Sequence, residues 1–353
     1  MKTNPKLHFL RVTPAWRHAP LPVGLLLVGL LLAGLLLVAC HDANEDAQPV
    51  PEPTRFTATV FAQNLVKPIG MSVDGRGQAW VTESGTGQND ARVSLIAADG
   101  KVYPAITGLA SVLVRGAAEG IGHLLYHEGT LYVLEGGTGR LYSADMSAFK
   151  AGDPPRAAQS LPSEDIGAFV RAQALTNPIN TNLYNLTFGP DGNLYLVDAG
   201  ANAVIKRVSA TKALSVFARL PNVTPTAEAV PTGIVYDGQK FLISTLSGAP
   251  FVAKSAKIFQ VDMAGTVSEF QSGFTALTDI VLSAGNKPIV VEYGQFALAP
   301  PPPGFAPRSG RVASGAGAEL LGGVNLPIDI ERAGDRTYYL LSNGDGTVQK
   351  LTY

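Results

Sequence analysis

The chain has 353 residues, 46% of them hydrophobic and 16% charged, with 38 Gly and 25 Pro. That size and turn-rich composition suit one large β domain with its own core. Its 27 basic and 28 acidic residues nearly cancel, and no Lys/Arg cluster interleaves with aromatic residues, which argues against a nucleic-acid partner.

Residues 1–39 read as an export segment rather than as part of the fold. Lys2, Lys6, Arg11 and Arg17 form a long basic leader, and 21–38 is an uncharged, almost unbroken run of Leu, Val, Gly and Ala. It ends in Leu37-Val38-Ala39-Cys40, which resembles the lipobox of bacterial lipoproteins. Small residues suit the signal-peptidase site, and the Cys40 thiol is the group that would accept the lipid. Cys40 is the sole cysteine, which excludes an intrachain disulfide framework. An uncleaved membrane anchor is the alternative, because the apolar run is near the length that spans a bilayer. The position of Cys40 favours lipidation. The expected partner is then a membrane, held through the N-terminal lipid. The expected location is the cell envelope, facing the periplasm or the extracellular space. His41, rather than Asp, follows the cysteine, which favours the outer membrane in a two-membrane bacterium. Residues 40–54 are acidic, Pro-rich and poor in apolar side chains, as a solvated tether should be.

From 55 to 353 one pattern recurs. In LYNLTFGPDGNLYLVDAGANAVIKRV (183–208), two alternating apolar runs flank Gly189-Pro190-Asp191-Gly192 and a third run follows. Pro190 presets φ for a turn and Gly192 supplies a positive φ, so the stretch predicts a hairpin plus a third strand. Similar units start at Pro68, Gly120, Leu183, Pro231, Leu277 and Pro327. Aligned on their third residue, they place Gly70, Gly122, Asn185, Gly233, Asp279 and Asp329 in register at spacings of 46 to 63 residues. Units of this length predict an all-β, six-bladed β-propeller. The last unit lacks a fourth strand, and 56–62 (FTATVFA) is placed to supply it and close the ring without an open edge. Residues 145–178 form the main helical or irregular excursion.

The body resembles the ScyD/ScyE family of scytonemin-associated proteins, related to NHL-type and SMP-30-like propellers. The resemblance rests on Asn177-Pro178, LTFGPDGNLYLVDAGANAVIKRV (186–208), TGIVYDGQKFLISTLSGAPF (232–251), AKIFQVD (256–262) and GFTALTDIVL (273–282). It spans about 59–351 and implies the propeller fold, but it carries no catalytic residue set. An SMP-30-type lactonase generally has a metal-binding Asp one residue before the inner-strand glycine. Here those positions are Ile69, Ile121, Tyr184, Thr232, Thr278 and Ile328, which disfavours that activity.

Propeller geometry gathers two rings of side chains at one channel mouth. The inner ring offers Asn185, Asp279 and Asp329, with glycine in the other blades leaving room for a ligand or for close backbone approach. Oxygen ligands so gathered suit a hard cation such as Ca²⁺; equally, they can accept backbone N–H groups and lock the blade turns. A second ring holds Glu83, Glu135, Asp198 and Glu292, with Thr245 and Ser342; its acids are expected to cap backbone N–H groups. His123, on an inner strand, is a further channel-mouth candidate. Pro300–Pro303 reads as a stiff spacer. No nucleophile elbow, P-loop or paired-Cys motif occurs. Two functional classes follow. One is a membrane-anchored binding or scaffold propeller for a small molecule, glycan or protein. The alternative is a metal-assisted hydrolase or lyase with its site at the channel mouth.

Overall fold

The structure, a computed structural model, describes residues 49–353 except 115 and 300. The export segment, Cys40 and most of the acidic tether lie outside the described residues. From Val50 to Tyr353 the chain forms one compact unit.

Six antiparallel sheets make six blades. From the inside outwards, blade 1 runs Pro68–Val73, Ala79–Glu83, Ala91–Ile96 and Val102–Leu109. Blade 2 is Leu124–His127, Thr130–Glu135, Arg140–Asp145 and Ser163–Asp165, and blade 3 is Leu183–Phe188, Leu194–Asp198, Ala203–Arg207 and Leu214–Arg219. Blade 4 is Pro231–Tyr236, Phe241–Thr245, Ala256–Val261 and Val267–Phe274. Blade 5 is Leu277–Leu282, Pro288–Glu292, Gly310–Ser314 and Glu319–Val324. Blade 6 is Pro327–Gly334, Thr337–Ser342 and Thr347–Thr352, completed on its outer edge by Thr57–Ala62. This N-terminal strand pairs with the last one from Thr57↔Thr352 to Ala62↔Val348, so both ends of the body share one blade. The ladder hydrogen bonds of that final sheet therefore lock the ring.

The excursion after blade 2's third strand carries the two-residue strand Arg156–Ala157, which adds in parallel to the edge of blade 1, and the helix Ile166–Ala172, capped by Asp165. Two short hairpins leave the blades. One is Val112–Val114 with Ala117–Glu119; the other is Phe296–Ala297 with Gly304–Phe305, flanking the Pro-rich spacer. Among the described residues no helix is long and apolar enough to cross a membrane.

The core is divided among the seams. Six buried clusters each join two neighbouring blades: Trp80, Val93 and Leu95 meet Leu131 and Val133 between blades 1 and 2, and Tyr195 and Val197 meet Phe241 and Ile243 between blades 3 and 4. Strand alternation explains this, because each blade presents one apolar face to each neighbour. The axis is left to other chemistry.

Candidate functional site at the channel mouth

Each inner strand opens with an irregularity at the mouth. In blade 3, Leu183 pairs with Asp198 and Asn185 with Val197, leaving Tyr184 extra; blades 4, 5 and 6 repeat this at Thr232, Thr278 and Ile328. Such a bulge re-aims the next side chain. In blade 2 the extra residue is Gly122. Both it and His123 face Leu134, with Gly122 N–H donating to the Leu134 carbonyl and Leu134 N–H to that of His123, while Leu124 pairs with Val133. His123 therefore occupies the ring position where the repeat alignment put Gly122. The cause is turn length: the first hairpin of blade 2 closes with only Glu128 and Gly129 between paired residues, against 189–193 in blade 3. The inner ring is Gly70, His123, Asn185, Gly233, Asp279 and Asp329.

Of the two uses expected of the remaining glycines, the structure shows close approach and not open ligand space. A Cβ on Gly70 would lie 2.5 Å from the His123 Cα, and one on Gly233 would lie 2.8 Å from an Asp279 carboxylate oxygen. Each glycine lets the flanking blades reach across it. Over Gly70, His123 Nδ1 meets Asp329 Oδ2 at 3.0 Å. Over Gly233, Asn185 Nδ2 donates to Asp279 Oδ1 at 3.2 Å. Two polar pairs thus plug the channel, and all four side chains are buried.

Most of their valences are spent on blade-to-blade ties. Asp279 Oδ2 accepts the Ile330 N–H of blade 6 at 3.0 Å, and Asp329 Oδ2 accepts the Met71 N–H of blade 1 at 2.7 Å. Asn185 Oδ1 accepts the Leu186 N–H at 2.7 Å. Among these four side chains, two buried polar atoms have no partner, His123 Nε2 and Asp329 Oδ1. Orphaned buried atoms of this kind call for a ligand or a catalytic role.

Burial pushes the His123 imidazole down to about 4, against the charge of Asp279, which favours the cation. Burial pushes both carboxyls up, to about 8, and the charge of Asp329 adds to the rise at Asp279. Both oxygens of Asp279 accept N–H groups, whereas Asp329 keeps Oδ1 open. Glu331, on the same side of the strand as Asp329, is driven well above the usual carboxylate range by burial and by both aspartates. The Tyr184 ring packs on His123 at 4.8 Å between centroids. Burial, Tyr293 and the two aspartates raise the Tyr184 hydroxyl, and Tyr293 is pushed to about 12 by burial.

The oxygens of Asn185, Asp279 and Asp329 do not fit Ca²⁺, which takes six to eight oxygen ligands. Asp329 Oδ1 is the one oxygen of the three side chains still open. Among the described residues no three His, Cys, Asp or Glu gather in a metal-holding arrangement.

The second ring is occupied by structural bonds. Glu83 takes the Arg92 guanidinium through both oxygens at 2.8 and 3.0 Å and caps the Val66 N–H. Glu292 holds Arg311 in the same forked way. Glu135 accepts from Ala110 N–H, and Asp198 from Asn182 and Ala201 N–H. The Ser342 hydroxyl donates to the Asn325 carbonyl, and the Thr245 hydroxyl to that of Lys257. These groups tie incoming connections and third strands to the second strands.

The arrangement defines a six-bladed, all-β propeller whose channel is plugged by two buried polar pairs. No family model matches the chain, and no curated protein matches its sequence. Solved structures do. A catalytically inactive histidine-to-alanine variant of virginiamycin B lyase from Staphylococcus aureus, crystallised with quinupristin, matches 85% of this chain and 100% of its own at 15% identity, with a TM-score of 0.51. A putative gluconolactonase matches 88% of this chain and 96% of its own at 14% identity, with a TM-score of 0.53. The PQQ-bound aldose sugar dehydrogenase of Streptomyces coelicolor matches 86% and 99% at 13% identity, with a TM-score of 0.56. At these identities the likeness is one of fold.

Proposed function

We propose that the protein is a proton-transfer enzyme of the lyase or hydrolase class, working at His123 and Asp329. The observation that carries this is the pair of unpartnered buried atoms, His123 Nε2 and Asp329 Oδ1, on two side chains that meet through Nδ1 and Oδ2 at 3.0 Å. Asp329 Oδ2 lies 3.0 Å from Nδ1, and we assign the imidazole proton to Nδ1, which leaves the lone pair on Nε2. The low imidazole and high carboxyl pKa leave a neutral base beside a protonated acid near neutral pH. In a lyase, Nε2 takes a proton from a substrate carbon while Asp329 protonates the leaving group, and the electrons of the broken C–H bond form the new double bond. In a hydrolase the same nitrogen takes the proton from water. A pure scaffold would have no use for such a reversed pair. The fold neighbours include a lyase inactivated by replacing a histidine and a putative lactonase, which supports an enzyme reading over a scaffold one.

The kinship with ScyD/ScyE proteins belongs to the same proposal, as does lipid attachment at Cys40 to an outer or other envelope membrane, which palmitate labelling of the parent and Cys40→Ser chains tests. For the chemistry, the test is turnover of quinupristin and of sugar lactones. His123→Ala should cut kcat at least a hundredfold, and Asp329→Asn should do so while shifting the pH profile. Turnover unchanged in both variants refutes the assignment.

A further inference from the structure

We infer that Glu331 is the proton relay of the plug, passing protons between Asp329 and water that enters the channel from the end opposite the mouth. This rests on the reading of His123 and Asp329 above and adds the route by which the pair is reloaded.

A reacting acid and base need a path to bulk water, and His123 and Asp329, both 1% exposed, have none of their own. The inner strands show where water approaches. Neighbouring blades cover both faces of each inner strand, so the solvent these strands meet lies in the channel. Two residues past the ring stand Ser72, Leu125, Thr187, Val235, Val281 and Glu331, and all but Ser72 are part-exposed. Two residues before the ring, on the mouth side, the equivalent residue of every blade is buried. Between those residues and the ring only Ile69 and Tyr184 are part-exposed, and the Tyr184 ring lies against His123. Hydroxyl ties close this side further: Thr232 donates to the Leu277 carbonyl at 2.9 Å and Thr278 to that of Pro327 at 3.3 Å. Water therefore comes nearest to the plug from the far end.

Glu331 is the one acid or base among those six residues, and the strand fixes it beside Asp329. The register is regular from Asp329↔Leu341 to Glu331↔Tyr339, so the two side chains leave one side of the strand roughly 6.6 Å apart at Cα. Leu or Val fills the position in blades 2, 4 and 5, and the Ser72 hydroxyl of blade 1 is spent on the Tyr126 N–H at 3.0 Å. The Glu331 carboxyl has no hydrogen bond among the described residues, and unlike Asp329 Oδ1 its oxygens are not sealed from solvent. A part-buried carboxyl that bonds nothing costs stability that Val would not, so packing does not explain it. Burial and the charges of Asp329 and Asp279 make it hold a proton at a pH where an ordinary glutamate has lost one. After turnover Glu331 gives that proton to the Asp329 carboxylate at Oδ1 and takes a replacement from hydronium in the channel. The proton gained at Nε2 returns to solvent, so protons and charge balance over the cycle.

The test uses the purified full chain and needs no substrate. Water-to-imidazole magnetisation transfer in ¹⁵N NMR reads the exchange rate of the proton on His123 Nδ1, the nitrogen that faces Asp329 Oδ2 at 3.0 Å. Glu331→Gln should slow that exchange about tenfold or more with the melting temperature not lowered. Glu331→Asp should keep part of the rate, and added formate should restore it in Glu331→Ala. Thr187→Phe, across the ring from Glu331, narrows the channel with every acid in place and should slow exchange too, whereas Ile69→Phe on the mouth side should not. An unchanged rate in Glu331→Gln overturns the relay, and so does a rate in Glu331→Ala that formate leaves slow, because the residue is then structural. A parent His123 that carries its proton on Nε2 overturns the reading of the pair and the relay with it. The expected tautomer with unchanged exchange overturns the relay alone.

Discussion

His123 shows how one position changes meaning with its surroundings. A lone histidine on an inner strand is ordinarily a satisfied structural residue, yet this one is 1% exposed with one nitrogen tied to Asp329 and the other left open. Its neighbours make stability depend on pH in a worked-out direction. Asp279 and Asp329, raised from 3.8 to about 8, stabilise the fold fully below the unfolded value and lose that contribution as pH rises through 8. His123, lowered from 6.5 to about 4, stabilises above 6.5 and loses its contribution as pH falls through 4. From pH 6.5 to 8 only the carboxyls are changing, so stability should fall over that window. Asp279→Asn should flatten the fall by on the order of 1 kcal/mol, as read by urea unfolding at the two pH values. A slope identical to the parent's would contradict the shift at Asp279. Asn185, Asp279 and Asp329 were legible as ring members from the repeat alone. Their partners were not, because which oxygen meets which N–H depends on blade tilt, which no local pattern encodes.

At the scale of strands, the hairpin period and turn chemistry predicted six blades and the closing segment 56–62, and the structure has both. The error of one residue in blade 2 arose because the repeat was aligned on its inner strands. Counting back from Glu135, the second-strand end equivalent to Asp198, would have set His123 in the ring once the shorter turn was allowed for. The roles of Gly70 and Gly233 were also hidden, since a glycine that leaves a void and one that admits a neighbouring side chain look alike in sequence. The closing strand gives a direct test of ring integrity. Thr57–Ala62 contributes the outer edge of blade 6, and Phe56 packs on Tyr338 at 5.3 Å. Removing residues up to 64 should unpair Thr347–Thr352 and open the seam between blades 6 and 1. The expected outcome is a melting temperature at least 10 °C lower, or aggregation, seen by calorimetry. An unchanged melting curve would mean that the three remaining strands suffice.

In the whole molecule, apolar burial is delegated to six seams, which frees the axis to hold polar groups that a single central core would exclude. The same carboxylates that bond each blade to the next close the channel, so the fold's fastening and the proposed reactive pair are one structure. That union sets a histidine whose pKa burial lowers beside a carboxyl whose pKa burial raises. The most direct test is ¹⁵N NMR of the imidazoles across a pH titration of the chelator-treated protein. The account predicts that His123 keeps its proton on Nδ1, leaves Nε2 unprotonated, and stays neutral from pH 8 down to about 5. A His123 that titrates near 6.5, or that carries its proton on Nε2, would contradict it.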